Sequence, residues 1–474
     1  MAYVVTLTAK TLSKLQSDLR IKQRLTKAYP EGTVSRPHPR MVLVVQDHDG
    51  EGKRRTLSWM GVELQRGTVG PADDSITIDP LREVFEHVPL DGESGLLAQL
   101  PEEARQNFNR ACRLDSVGSF DRTTWERLSV QLLEKHPALT STLEWLLAQA
   151  DPELLDSEDA ADRSWQEQRD AVGTVARIAG LPPTTISAWK RPAARDAPYL
   201  AGLIPEPVEH SHIDHDARAS ADSLGLYGDW IDDPNVRCDI HVFRDAVGRK
   251  IEIANINATP AESRLGADMI YYHEPTSSFM LLQYKRLPTT RRSISVDERL
   301  MDQLDRLEKV SSLSKPATKP DEWRLSSDAC FLKLAYWPKS PEASSANRAD
   351  SLTPGMYLPV SYVRLLLANE CTLSGRERDD GTPGRMLGYQ HVPRHLVSSQ
   401  FIELIQHGLA GTVGVTVEQL RQIVDERVRA GHDTVLGREV SQESSQKRQS
   451  RLRSRGTKKR VVQSHRADYQ GGNP

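Results

Sequence analysis

The chain of 474 residues contains no run of eighteen apolar residues, so no segment reads as a transmembrane helix. Cysteine is scarce: Cys112, Cys238, Cys330 and Cys371 lie far apart and form no CxxC pair. That spacing argues against a zinc ribbon and against a disulfide framework, and a reducing cytoplasm is the expected compartment. The opening Met1-Ala2-Tyr3-Val4-Val5-Thr6 lacks the charged and apolar blocks of a signal peptide. No internal repeat is visible. Neither sign of charge dominates, since 62 Lys and Arg stand against 65 Asp and Glu for a net charge of −3. The balance is uneven, however: Lys447 to Pro474 carries nine cations and one acid, which makes the tail +8 and the body −11. An acidic body excludes a surface broadly coated for nucleic acid, so any such contact has to be local.

What is present is an ordinary globular composition, 38% apolar and 27% charged, at a length that suits two to four domains. Five regions are expected. Residues 1–90 form an N-terminal β-containing region, with a hairpin of Met41–Val45 and Arg54–Leu64 around the turn Asp47–Gly52, and a helix over Thr11–Thr26. Residues 91–200 read as helical, with Asp121 as a cap, further helices over Leu139–Ala150 and Arg163–Ala179, and Gly180 with Pro182-Pro183 as the stop. The short segment Thr184–Arg191 that follows could complete a helix-turn-helix. Two helices joined by a loop are the plainer reading. Residues 201–235 are a linker; its cluster Glu209–Asp216, rich in His and Asp, could hold a transition metal, although a solvated loop accounts for it as well. Residues 236–440 return to mixed α/β text, with a hairpin over Asp239–Phe243 and Lys250–Ile256 and a helix over Ser295–Leu313 capped by Ser295 and Glu298. Val296, Leu300, Leu304 and Leu307 give that helix an apolar face. The tail 441–474 is polar and basic and is expected to be disordered; eight cations between Lys447 and Arg460 would let it grip nucleic acid nonspecifically.

The chemistry concentrates in Gly266–Tyr272 and Phe279–Arg286. Two apolar runs carry Asp268, Gln283 and Lys285 where buried strands are costly to charge. A turn over His273–Ser278 with an even number of residues pairs Tyr272 with Phe279 and Asp268 with Gln283. Lys285, two residues on, then shares their face. A carboxylate, an amide oxygen and a lysine suit phosphodiester hydrolysis assisted by a hard divalent ion. Glu262, next to Thr259-Pro260, is the nearest candidate for a second carboxylate, and Glu252 is the fallback.

The order Glu262, Gly266-x-Asp268, apolar strand, Gln283-x-Lys285 resembles the PD-(D/E)xK superfamily of restriction-endonuclease-like nucleases, in the Q-x-K variant of Mrr-type enzymes. The resemblance covers roughly residues 236–310. It implies an α/β fold with a restriction-endonuclease-like mixed sheet flanked by helices, and Mg²⁺ or Mn²⁺ held by Asp268, Gln283 and Glu262 beside the catalytic lysine position Lys285. The spacing departs from the family in one respect, because only five residues separate Glu262 from Asp268. The implied activity is hydrolysis of double-stranded DNA in defence against foreign DNA, with a second copy of the chain or a defence-system protein as partner and no membrane. Arg286, Arg291 and Arg292 would hold the DNA backbone; a solvated basic loop is the alternative. Two other functions remain open on this sequence. One is a nuclease fold without catalysis that binds nucleic acid or serves as a scaffold. The other is a transcription regulator using residues 163–191.

Overall fold

A computed structural model describes residues 2–440 except 31–40, 71–72, 152, 154, 157, 182, 205–212, 215–236, 245–249, 258–266, 274–275, 289, 327, 338–351, 378–380 and 382. Glu262, most of the cluster 209–216 and the tail 441–474 therefore lie outside the described residues. The chain is mixed α/β and divides into two compact units. Among the described residues no helix is long and apolar enough to cross a membrane.

The first unit holds residues 1–153, 184–190 and 204–207. Its elements are β1 (Ala2–Thr8), α1 (Ala9–Lys22), β2 (Leu25–Pro30), β3 (Met41–Asp47), β4 (Arg55–Gly70), β5 (Asp73–Pro89), α2 (Glu102–Ala111), β6 (Ser116–Phe120), α3 (Arg122–Lys135) and α4 (Thr140–Ala150). The six strands run β2-β5-β4-β3-β1-β6. The expected hairpin is β3–β4. Its turn is held by Asp47, whose carboxylate accepts backbone N–H bonds from Gly50 at 2.9 Å and Gly52 at 3.1 Å. Leu12 and Leu19 of α1 join the apolar cluster of one face, while Phe108, Leu128, Trp145 and Leu146 from α2, α3 and α4 join that of the other. Asp121 caps α3 as its sequence predicts, accepting from the Thr124 N–H at 2.7 Å.

The second unit holds residues 154–183, 191–203 and 208–474. Its elements are α5 (Ala160–Ile178), β7 (Ile213–Asp214), β8 (Arg237–Arg244), β9 (Lys250–Asn257), β10 (Ala267–His273), β11 (Ser278–Leu287), β12 (Ser293–Ser295), α6 (Glu298–Ser311), β13 (Cys330–Tyr336), β14 (Gly355–Pro359), α7 (Val360–Ala368), β15 (Leu373–Glu377), β16 (Pro383–Gly388), α8 (Ser398–Gln406), α9 (Val417–Arg429) and β17 (Asp433–Val440). Eight strands form one sheet in the order β14-β13-β11-β10-β17-β9-β8-β7. Apolar side chains of α6, α7 and α9 merge with Ile270, Tyr272, Phe279, Leu281, Leu332 and Leu436 into a core on one face. The other face meets α5, and Phe401 of α8 stacks on Tyr357 at 4.5 Å.

Three expectations need correction. The stretch 91–200 is not one helical region. Each of α2, α3 and α4 closes the first sheet, whereas α5 is buried along nearly its whole length and belongs to the second unit. The helix-turn-helix is absent: after α5 comes a single 3₁₀ turn over Pro183–Ile186, and Ser187–Arg191 is not helical. Two prolines followed by β-branched residues disfavour a helix there, and Ala188 is spent in the first unit's core. The long helix also starts later than read. Ser293–Ser295 is strand β12, and the cap of α6 is Asp297, which accepts from the Leu300 N–H at 2.8 Å.

Gly437 sets how closely α5 approaches the sheet. A Cβ there would lie 2.3 Å from Val175 Cγ1, and valine has no flexible arm with which to yield. Gly437→Ala is therefore expected to cost about 1–3 kcal/mol, read as a lowered urea midpoint. An unchanged midpoint would refute this account of the packing.

Candidate metal and phosphate site

The hairpin β10–β11 has the expected register. Asp268 pairs with Gln283, Tyr272 with Phe279 and His273 with Ser278. Asp268 and Gln283 are fully buried on the face covered by α6 and α9, and Lys285 follows on the same face, half-buried at the sheet's rim. Burial and Arg299 push the Lys285 ammonium below the usual lysine range, while Asp297 and Asp268 oppose that shift. The end of β11 and the start of α6 thus converge on the lysine.

Gln303 of α6 is buried, with neither amide atom hydrogen-bonded. Two further side chains enter this space. Arg427, in the last turn of α9, places Nη1 3.4 Å from Asp268 Oδ2 and 3.4 Å from Gln283 Oε1. His432 places Nδ1 3.7 Å from the same Asp268 oxygen. The turn from α9 into β17 explains their arrival. Gly431 takes φ +76°, its N–H reaches the Val428 carbonyl, and the His432 N–H reaches that of Arg427. The chain then enters β17, which pairs in parallel with β10 and sets Thr434 beside Asp268. Burial drives the His432 imidazole below its ordinary range, against the pull of Asp268.

Both oxygens of Asp268, the Gln283 amide nitrogen, Gln303, one Arg427 nitrogen and both ring nitrogens of His432 lack a hydrogen-bond partner. Buried polar atoms are nearly always satisfied, and one orphan costs about 1–3 kcal/mol. Four of these side chains adjoin one another, namely Asp268, Gln283, Arg427 and His432. A carboxylate and an amide oxygen are hard donors, and they fit Mg²⁺ or Mn²⁺ in kind. Among the described residues no group of three His, Cys, Asp or Glu side chains gathers as a metal site.

The other candidates separate. Glu252 lies on β9, whose register puts Ile256, not Glu252, in line with Thr434 and Asp268. Four residues along and two strands across amount to roughly 16 Å, which removes it as a ligand; instead it faces Arg438 at 3.3 Å and also pairs with Lys250. Arg286 points to the opposite face, donates to Gln166 Oε1 at 3.0 Å and stacks over Trp337 at 4.5 Å, so it is a packing residue rather than a backbone contact. Arg291 and Arg292 are exposed, and Arg292 lies over the Tyr336 ring at 4.5 Å. Tyr271, Tyr272 and Tyr284 are buried packing residues, as their apolar setting suggests.

A largely polar hollow of about 570 Å³ is lined in part by Arg291, Ser293, Ser295, Val296, Arg385 and His391. Val296 adjoins Asp297 in the chain, and Asp297 acts on the Lys285 charge. The sequence missed Arg427 and His432, although the Ala430-Gly431 helix stop was a usable signal that the chain turns there. Compared with known protein families, curated proteins and solved structures, the chain matches none.

Proposed function

We propose that the second unit is a metal-dependent nuclease acting on DNA, of restriction-endonuclease-like type, with its centre at Asp268, Gln283 and Lys285. The observation that carries this reading is the convergence of those three groups on one buried face, among polar atoms that have no internal partner. The mixed sheet that holds β10 and β11, with helices packed on it, supports it, since the Q-x-K resemblance implies a mixed sheet flanked by helices. Asp268 and the amide oxygen of Gln283 would hold Mg²⁺ or Mn²⁺. Such an ion, when bound, lowers the pKa of its water and offsets charge on the phosphoryl oxygens. Lys285 holds a proton-rich ammonium at the rim, where it neutralises the phosphate and orients the attacking water. Arg291 and the hydroxyls of Ser293 and Ser295 offer the adjoining backbone a polar bed.

The test is cleavage of duplex DNA by the full chain with Mg²⁺, Mn²⁺ or chelator. Activity is expected with either ion, none with chelator, and none from Asp268→Asn. Equal activity in Asp268→Asn and wild type would remove this site from the reaction. A second reading is favoured by Arg427 standing 3.4 Å from the Asp268 carboxylate: a nucleic-acid-binding module without catalysis. On that reading DNA binds and no ion accelerates its cleavage.

A further inference from the structure

We infer that Arg427 is a resident counter-cation of this site, one that competes with a divalent ion for Asp268 and Gln283 and is drawn away by substrate phosphate. The inference rests on the nuclease reading and adds to it a residue and a linkage.

Asp268 is fully buried, and an isolated buried carboxylate is very costly. Arg427, itself 4% exposed, supplies the nearest positive charge. Its geometry is loose. A charge-assisted pair closes to about 2.7–2.9 Å and is often bidentate. Here one nitrogen, Nη1, reaches both Asp268 Oδ2 and Gln283 Oε1 at 3.4 Å, and Nη2 has no partner. A buried ion pair repays its desolvation only when its geometry is good and its remaining lone pairs are satisfied. Neither condition holds, so the pair balances charge without being locked. Other groups acting here do not replace it: His432 Nδ1 stands farther off, at 3.7 Å from Asp268 Oδ2, and Lys285 is at the rim.

The guanidinium also touches the two side chains proposed as ion ligands, so an ion gains Asp268 and Gln283 only as Arg427 leaves them. Its planar fork matches a phosphate oxygen pair better than it matches its present contacts. Phosphate and divalent ion therefore favour the same displaced arginine, and each raises the affinity of the other by the same factor. This device keeps the Asp268 carboxylate neutralised until nucleic acid arrives.

The experiment is Mn²⁺ titration of the full chain by electron paramagnetic resonance, without DNA, for wild type, Arg427→Gln and Arg427→Lys. Arg427→Gln is expected to bind Mn²⁺ about tenfold tighter or more, because a like charge has been removed. Arg427→Lys keeps the charge and is expected to stay within about threefold of wild type. The Tm gain on adding Mn²⁺ is larger for the glutamine variant, a reading that tolerates a lower starting stability. A short duplex added to wild type tightens Mn²⁺ binding and does so less in Arg427→Gln. Mn²⁺ bound by wild type and Arg427→Gln with equal affinity overturns the counter-cation inference alone. Absence of Mn²⁺ binding in all variants, with or without DNA, overturns both this inference and the metal-dependent reading.

Discussion

Lys285→Ala is expected to lower metal-dependent cleavage of DNA by about 10²–10³-fold, with DNA affinity changed by no more than about threefold. The magnitude follows from where the ammonium stands. It lies half-buried at the rim, with its charge disfavoured by burial and Arg299 and favoured by Asp297 and Asp268. A cation held in that setting acts on charge that develops on the phosphoryl oxygens, and its worth is greatest in the transition state. The substitution leaves the hollow near Arg291 unaltered, so on the proposed function binding is expected to persist. Lys285→Arg is not expected to restore the rate, since a fork replaces a compact point charge. Single-turnover rates at saturating Mn²⁺, with circular dichroism as a check of the fold, decide the matter. A Lys285→Ala rate equal to wild type would exclude the lysine from the chemistry.

The hairpin was legible because its information is local. Two apolar runs and the even-numbered turn between them suffice to pair Asp268 with Gln283 and to set Lys285 on their face. Helices α1, α3, α4 and α6 were legible for the same reason, from periodicity, caps and stops. Two non-local features were not. Strand β17 comes more than a hundred residues after β10 in the chain, yet it inserts between β10 and β9. That insertion carries Glu252 out of reach and brings His432 and Arg427 in, and no local pattern in Asp433–Val440 specifies its neighbour. Helix α5 was seen as a helix and assigned to the wrong body, because an apolar stripe tells that a helix is covered and not by what. The site was thus half visible: the strand residues by register, the residues from α9 and the turn before β17 only through tertiary structure.

The second large effect concerns the face of β11 turned away from the site. Lys333 of β13 lies in register with Tyr284, between the positions of Gln283 and Lys285, so the pleat points it toward α5. There its ammonium is fully buried, bonds to Asp170 of α5 and lies over the rings of Tyr357 at 4.7 Å and Tyr284 at 5.2 Å. The other Asp170 oxygen accepts from the Thr353 N–H at 2.6 Å. Burial alone would depress the lysine pKa, but Asp170 and Tyr357 more than offset it, so the lysine pKa is raised and the contact is well satisfied. Lys333→Met leaves Asp170 buried without its counter-charge and is expected to cost about 3–5 kcal/mol. Asp170→Asn in the same protein removes that charge while its amide oxygen still receives the Thr353 N–H. The double variant is therefore expected to regain all but about 1–2 kcal/mol, in urea unfolding followed by circular dichroism. Additive losses in the double variant would show that no coupled pair exists. Because the pair and Asp268 occupy opposite faces, the folded double variant should also keep its Mn²⁺ affinity. Loss of that affinity in a folded double variant would mean that the α5 face helps to hold Gln283 and Lys285 in register.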